Sequence, residues 1–465
     1  MKCKDGALTQ TGEDGRSRVA IIMLAGSLIS VELLAGMQRY LSQTVLPLLA
    51  DELNGAGLYG ILDAAAQAPM FLTMPIGAWL LSKFDIRRLL FILTGVSILG
   101  SAICAVAPTM WVFIGGTVVR ALAAGALSTV SMGAISKGLP PRYRQLVLAG
   151  MSGVWVLSSV LGPVYAVAVS NALSWRWAMV IYLPLLVIAR FLIGRFMPPQ
   201  SRGEAREGAP WRWATMLAVG SLVLALPAGK WSPIAVFLGG GLMFAAAREL
   251  LPRGTFSARL GRRASVHALT IVAVVYFGAT MVLSVVAHDA FGLQAEQFGF
   301  IIAAPGFCWA IAGLWTGSHP ATANTFRRRA FAGGTGIAAG LTLLALAVNL
   351  IRSDDATIFV GLLIGAALMG FGMGWLYPDL LGRCLSQPDH DDGITADQMA
   401  GAVVLSETVG MSVATTAAYS WLATGFGTVS DQLLRVQVLY IFLAPIAILM
   451  LYRLAKSSVN ADAVH

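Results

Sequence analysis

Apolar residues along the chain gather in runs of about 20 or more, the length a helix needs to cross a bilayer. Six such runs come first, at about 19–46, 57–82, 88–108, 110–136, 146–171 and 175–197. A polar stretch from Pro198 to Trp213, carrying Arg202, Glu204, Arg206 and Glu207, precedes two shorter runs at about 213–229 and 231–248. A basic stretch from Arg248 to Arg263 leads into six more, at about 266–287, 297–317, 329–351, 356–377, 399–423 and 434–453. The pattern predicts an all-α integral membrane protein with fourteen transmembrane helices. They divide into a tail over 1–18, a six-helix bundle over 19–197, a linker with two extra helices over 198–265, a second six-helix bundle over 266–455 and a tail over 456–465. Six helices on either side of an inserted pair suggest an internal duplication.

Composition agrees with this pattern. Hydrophobic residues make up 57% of the 465 residues and charged residues only 12%. A soluble domain is about 25% charged, so a soluble enzyme, a disordered chain and a disulfide scaffold are excluded. The net charge of +9 does not point to nucleic acid here. With the N-terminus inside and crossings alternating, 26 of the 32 Lys and Arg fall on cytoplasmic segments. Only Arg176, Lys230, Arg352 and Arg435 fall outside, while Arg39 and Arg120 stay within spans. Such an excess predicts both termini in the cytoplasm. The polar start, Met1 to Arg18, does not read as a signal peptide. Cys3, Cys104, Cys308 and Cys384 are far apart, and the five histidines are scattered, so neither a disulfide nor a metal is expected. The acidic cluster Asp389-His390-Asp391-Asp392 reads as a solvated loop. No phosphate-binding G-x-x-x-x-G-K-[ST] loop occurs, so ATP-driven transport is not supported and no cofactor is expected.

Charges inside the hydrocarbon cost about 2.5–3.5 kcal/mol each and call for a reason. Five stand out: Glu32, Arg39, Asp63, Arg120 and Glu407. Arg39 leaves the first span near the depth at which Asp63 enters the second. The two are expected to pair, as a functional group or simply to fix helix register. Glu407, in Ser406-Glu407-Thr408, has no basic residue in its own span. It is therefore expected to be protonated or to face water, either as a proton site or as a plain interhelical hydrogen-bond donor. Trp155, Tyr165, Phe277, Met281, Trp309, Trp315, Trp375 and Tyr377 offer faces for an apolar or cationic ligand, unless they pack against lipid or core.

Five stretches resemble the major facilitator superfamily, and within it the fourteen-helix drug:proton antiporters. The first span closes on Val45-Leu46-Pro47-Leu48-Leu49. Gly77 leads into the basic loop Ser82-Lys83-Phe84-Asp85-Ile86-Arg87-Arg88, similar to G-x-L-x-D-R-x-G-R-R, and Arg327-Arg328-Arg329 occupies the matching place in the second half. Arg120 followed by Gly125 is similar to R-x-x-Q-G, with Ala123 in place of glutamine. Gly162-Pro163 is similar to the antiporter motif G-x-x-x-G-P and precedes Trp175-Arg176-Trp177. Gly370-Phe371-Gly372-Met373-Gly374 resembles a glycine ladder of that branch. Departures fall at Ser82 in the loop's acidic position, Asp85 for glycine, Ser158 for glycine and Gln38 for the first-helix aspartate.

The resemblance implies two six-helix bundles that rock about a central cavity. It implies a monomeric secondary transporter in a bacterial inner membrane, exporting small amphipathic or drug-like molecules in exchange for protons. Gly77, Lys83, Asp85, Arg87, Arg88, Gly162 and Pro163 would form the conformational motifs. Gln38, Trp155, Phe277, Met281, Trp309 and Tyr377 would line the cavity. Within that arrangement the first and fourth helices line the cavity together, so Glu32 is expected to approach Arg120 and compete for protons under its influence, with Glu407 as a second site. A buried pair without turnover is the plainer alternative. Proton-coupled uptake, or a non-transporting receptor or scaffold, also stays open.

Overall fold

The computed structural model describes residues 18–53, 59–198, 208–225, 232–258, 261–283, 286–287, 291, 293, 295–349, 355–386, 393–423 and 429–457. The described residues contain fifteen α-helices and no strand. The first half holds α1 (Arg18–Glu52), α2 (Tyr59–Lys83), α3 (Ile86–Ala105), α4 (Met110–Gly138), α5 (Pro141–Ala172), α6 (Trp175–Ala178) and α7 (Leu183–Phe196). Next come α8 (Trp211–Ala225) and α9 (Ser232–Leu250). The second half holds α10 (Gly261–Thr280), α11 (Ala295–Ser318), α12 (Ala323–Asn349), α13 (Asp355–Leu385), α14 (Ala396–Ala423) and α15 (Val429–Ser457). Eleven stretches among the described residues are long and apolar enough to cross a membrane, and the apolar α8 is shorter.

Fifteen helices replace the fourteen expected because the run over 175–197 is broken in two. Ser174 caps α6 by accepting from the Arg176 amide at 3.3 Å. Pro184 sits in the first turn of α7, where its missing N–H costs nothing. A helix continuing through Pro184 would lose a hydrogen bond and clash one turn back, so turns at 179–182 separate the two pieces.

Helix pairing in the two halves repeats. In the first, α1 packs on α5 and α7, α2 on α4, and α3 on α4. In the second, α10 packs on α14 and α15, α11 on α13, and α12 on α13. Small residues permit these close approaches. A Cβ on Gly77 would lie 3.0 Å from the Ala126 carbonyl oxygen, and Thr129 Oγ1 donates to the Met74 carbonyl at 3.0 Å. The ladder on α13 has a similar cause: a Cβ on Gly370 would overlap the Pro305 carbonyl, and one on Gly374 the Trp309 carbonyl.

The halves meet where α5 packs on α11 and α13, and where α14 packs on α2 and α4. The helices α8 and α9 pack on each other at Gly220 and Gly239, and they touch both halves, α8 mainly through α2 and α9 through α14.

Candidate functional site

Four polar groups, drawn from both halves, are linked by charge or by a hydrogen bond. Glu32 on α1 is half-buried among apolar neighbours. The positive charge that acts on it is Arg190 of α7, which is 6% exposed and donates from Nη1 to Ser131 Oγ at 2.8 Å. From the second half, Glu407 of α14 is also half-buried and interacts electrostatically with Glu32. Its Oε2 accepts from the Tyr377 hydroxyl of α13 at 2.8 Å. Glu32 and Glu407 thus act on each other electrostatically across the halves, Glu32 within the field of a guanidinium and Glu407 bonded to a phenol.

Arg190 is not among the charges singled out from the sequence, although it lies in the apolar run over 175–197. Its signal was its position inside an otherwise apolar stretch, six residues before α7 ends. Arg120 has other partners than the expected Glu32. With the Gln38 amide turned so that both its atoms are satisfied, Gln38 accepts from Arg120 Nε at 3.1 Å and Nη1 at 3.2 Å, and donates to the Tyr182 hydroxyl at 3.1 Å. The reason is depth: Gln38 lies six residues beyond Glu32 on α1, about 9 Å further along the helix. The Asp63 side chain lies outside the described residues, and with it the expected Arg39–Asp63 pair.

An aromatic cluster of the second half adjoins Glu407. Trp309 packs edge-on against Tyr276 at 5.2 Å and Tyr377 at 5.3 Å, and lies 6.3 Å from Phe277 between ring centroids. Met281, on the turn after α10, is 42% exposed. Trp315 and Trp375 stack on each other at 4.7 Å, with the Arg329 guanidinium over Trp315, and Trp315 is exposed. The Trp155 side chain lies outside the described residues.

The two halves are closed against each other at the face that carries the basic loops. Lys137 of α4 pairs with Asp397 of α14 at 2.5 Å; Asp397 is buried and Lys137 partly so. Asp379 of α13 accepts from Gln145 of α5 at 3.2 Å, from the Ala321 amide at 3.1 Å and from Arg329 at 3.2 Å. Arg144 reaches from α5 to the Leu385 carbonyl at 2.9 Å. Apart from Arg329, none of these residues was singled out from the sequence, because a loop-end charge shows its partner only after folding. In the loop before α3, Asp85 caps the helix by accepting from the Arg87 amide at 2.7 Å, Arg87 donates to the Met197 carbonyl at 2.6 Å, and Lys83 and Arg88 are exposed. Ser158 donates to the Leu33 carbonyl at 3.1 Å across Gly36, which explains how a serine is accommodated where the resemblance expects glycine. The backbone stays helical through Gly162 and Pro163, and the Pro163 side chain lies outside the described residues. So does the cluster at 389–392; among the described residues no group of acidic, Cys or His side chains is arranged to hold a metal.

A family model described as Major Facilitator Superfamily matches residues 28–415. Among curated relatives, an efflux pump, FUS6, of Gibberella moniliformis is 27% identical over 389 residues, 77% of this chain and 67% of that protein. Multidrug resistance protein 3 of Bacillus subtilis is 24% identical over 391 residues, 79% of this chain and 72% of that one. Among solved structures, the human organic anion transporter MFSD10 superposes with a TM-score of 0.65 at 16% identity, covering 93% of this chain and 99% of that one. The proton:xylose symporter XylE gives 0.59 at 13% identity, covering 92% and 95%.

Proposed function

Because the chain belongs to the Major Facilitator Superfamily, whose members are transporters and not enzymes, we propose that it exports small amphipathic or drug-like molecules in exchange for protons. It is an integral, multi-pass membrane protein. The observation that carries the proposal is that two acids from opposite halves, Glu32 and Glu407, act on each other electrostatically, with Glu407 bonded to the buried Tyr377. Interacting carboxyls titrate as a pair, so a proton taken by one changes the hold of the other. A proton arriving and a cationic or polar substrate leaving then compete for the same negative charge.

The topology in this reading has fourteen crossings, α6 and α7 together forming one, with both termini and all basic loops in the cytoplasm. The excess of Lys and Arg on those loops supports this orientation. Closure of the basic-loop face by Lys137–Asp397 and Gln145–Asp379 then corresponds to an outward-facing state, in which the carboxyls load protons from outside. The protein acts as a monomer in a bacterial inner membrane, with bundles over 19–197 and 266–455 flanking the inserted pair.

Flux in proteoliposomes tests this. Ethidium and tetraphenylphosphonium serve as amphipathic probes, with and without an imposed pH gradient. The expected result is gradient-driven movement opposite to the protons, lost in Glu32→Gln and Glu407→Gln. Movement in the same direction as protons would establish uptake instead, and flux indifferent to the gradient would end the proton-coupled reading.

A further inference from the structure

Tyr377 stands between the acid and the aromatic wall. Its hydroxyl donates to Glu407 at 2.8 Å, its ring meets Trp309 edge-on at an interplanar angle of 71°, and it is 8% exposed. Trp309 in turn meets Tyr276 at 83° and Phe277 at 55°. The Trp309 Nε1 is buried and has no hydrogen-bond acceptor among the described residues. We propose that Tyr377 is a positioning residue that reports the protonation of Glu407 to the aromatic wall of the cavity, ordering that wall when the acid is ionised and releasing it when the acid is protonated. The inference rests on the proposed role of Glu407 in proton coupling.

The chemistry follows from donor and acceptor inventories. An ionised carboxylate only accepts, and a phenol bonded to it makes a charge-assisted hydrogen bond. Glu407 in that state fixes the phenol, and the fixed ring holds Trp309 by its edge. A proton taken from water turns one carboxyl oxygen into a donor and removes the charge that strengthened the bond. The phenol is then free to turn its oxygen elsewhere, and the unpartnered Trp309 Nε1 lies within the same cluster as a donor. Glu32 on α1 and Cys384 on α13 also interact electrostatically with Glu407. Lys137 on α4 is engaged with Asp397, and Arg262 on α10 donates to the Ser386 and Ile394 carbonyls, both toward the closed face. Protonation of Glu407 therefore has Tyr377 as its immediate polar reporter.

The test uses the purified full chain in lipid nanodiscs and needs no substrate. The infrared C=O stretching band of protonated Glu407, identified by its loss in Glu407→Gln, gives that group's titration between pH 5 and 9. The Trp309 fluorescence component, taken as the difference from Trp309→Phe, is followed over the same range. The expected result is a Trp309 signal that titrates with the Glu407 band and disappears in both Glu407→Gln and Tyr377→Phe, with the thermal midpoint of Tyr377→Phe unchanged. A pH-dependent signal that persists in Tyr377→Phe, or none in the unmodified protein, overturns the inference. Either outcome leaves the export reading standing. The coupling role of Glu407 fails on a different result, gradient-driven flux retained in Glu407→Gln.

Discussion

Arg190 and Arg120 are both arginines within apolar helices, and their surroundings assign them different work. Arg190 is the counter-charge of Glu32, so Arg190→Ala removes the positive charge that favours the ionised acid. Its expected effect is a transport optimum moved alkaline. Arg120 instead anchors Gln38 through two of its guanidinium nitrogens. Arg120→Ala should lower the rate with the pH optimum in place, and Arg120→Lys should recover part of it, since an ammonium lacks the planar fork. Initial rates between pH 5.5 and 8.5 check both; an alkaline shift in Arg120→Ala alone would reverse the assignment. At the C-terminal end of α1, Glu52 accepts from Trp175 Nε1 at 2.5 Å and from Arg176, whose other arm donates to the Ala107 carbonyl at 3.0 Å. The Trp175 bond first, then the Arg176 bond, hold the Glu52 carboxyl below the usual carboxylate range. A carboxyl depressed in the folded state stabilises it above the unfolded pKa, near 4, and the gain fades as pH falls through the lower folded value. Glu52 is half exposed, so the gain is modest. Glu52→Gln should therefore melt below the unmodified protein at pH 7, the two curves converging toward pH 3; a constant gap down to pH 3 would assign the difference to packing.

At the scale of the helix, glycine spacing sets how closely elements approach. Gly370 and Gly374 lie four residues apart on α13 and both face the backbone of α11, while Gly372 faces α12. The ladder was visible in the sequence as a motif; its cause is visible only with the two neighbours in place. Gly374→Ala puts a methyl group against the Trp309 carbonyl, and overpacking of this kind costs about 1–3 kcal/mol. The expected outcome is a lowered thermal midpoint in detergent, together with a shifted Trp309 emission; Gly241→Ala, where a Cβ meets nothing within 4 Å, is the control. The broken sixth span belongs to the same scale. Pro184 was legible as a place where a helix starts, yet the apolar run read as continuous because hydropathy is blind to a missing N–H.

For the molecule as a whole, the inserted pair is the open question, since α8 and α9 lean on different halves. If both cross the bilayer, Lys230 between them is external. A cysteine at Lys230 should then react with an impermeant maleimide in intact cells, whereas labelling only after lysis would leave twelve crossings and an embedded linker. The run lengths, the charge asymmetry and the small-residue motifs were enough to determine that this is a helical, multi-pass membrane protein of duplicated design. Those properties depend on transfer free energies and helix geometry, which act locally and add up along the chain. The pairing of charges was decided by the fold alone. Glu32 and Arg190 are 158 positions apart and Glu32 and Glu407 are 375 apart. Which acid meets which base depends on helix rotation and depth to within about one turn, 5.4 Å. Apolar periodicity in helices surrounded by lipid and by other helices does not specify rotation, so the charge of Arg190 acts on Glu32, and Arg120 bonds Gln38, through packing that only the assembled bundle contains.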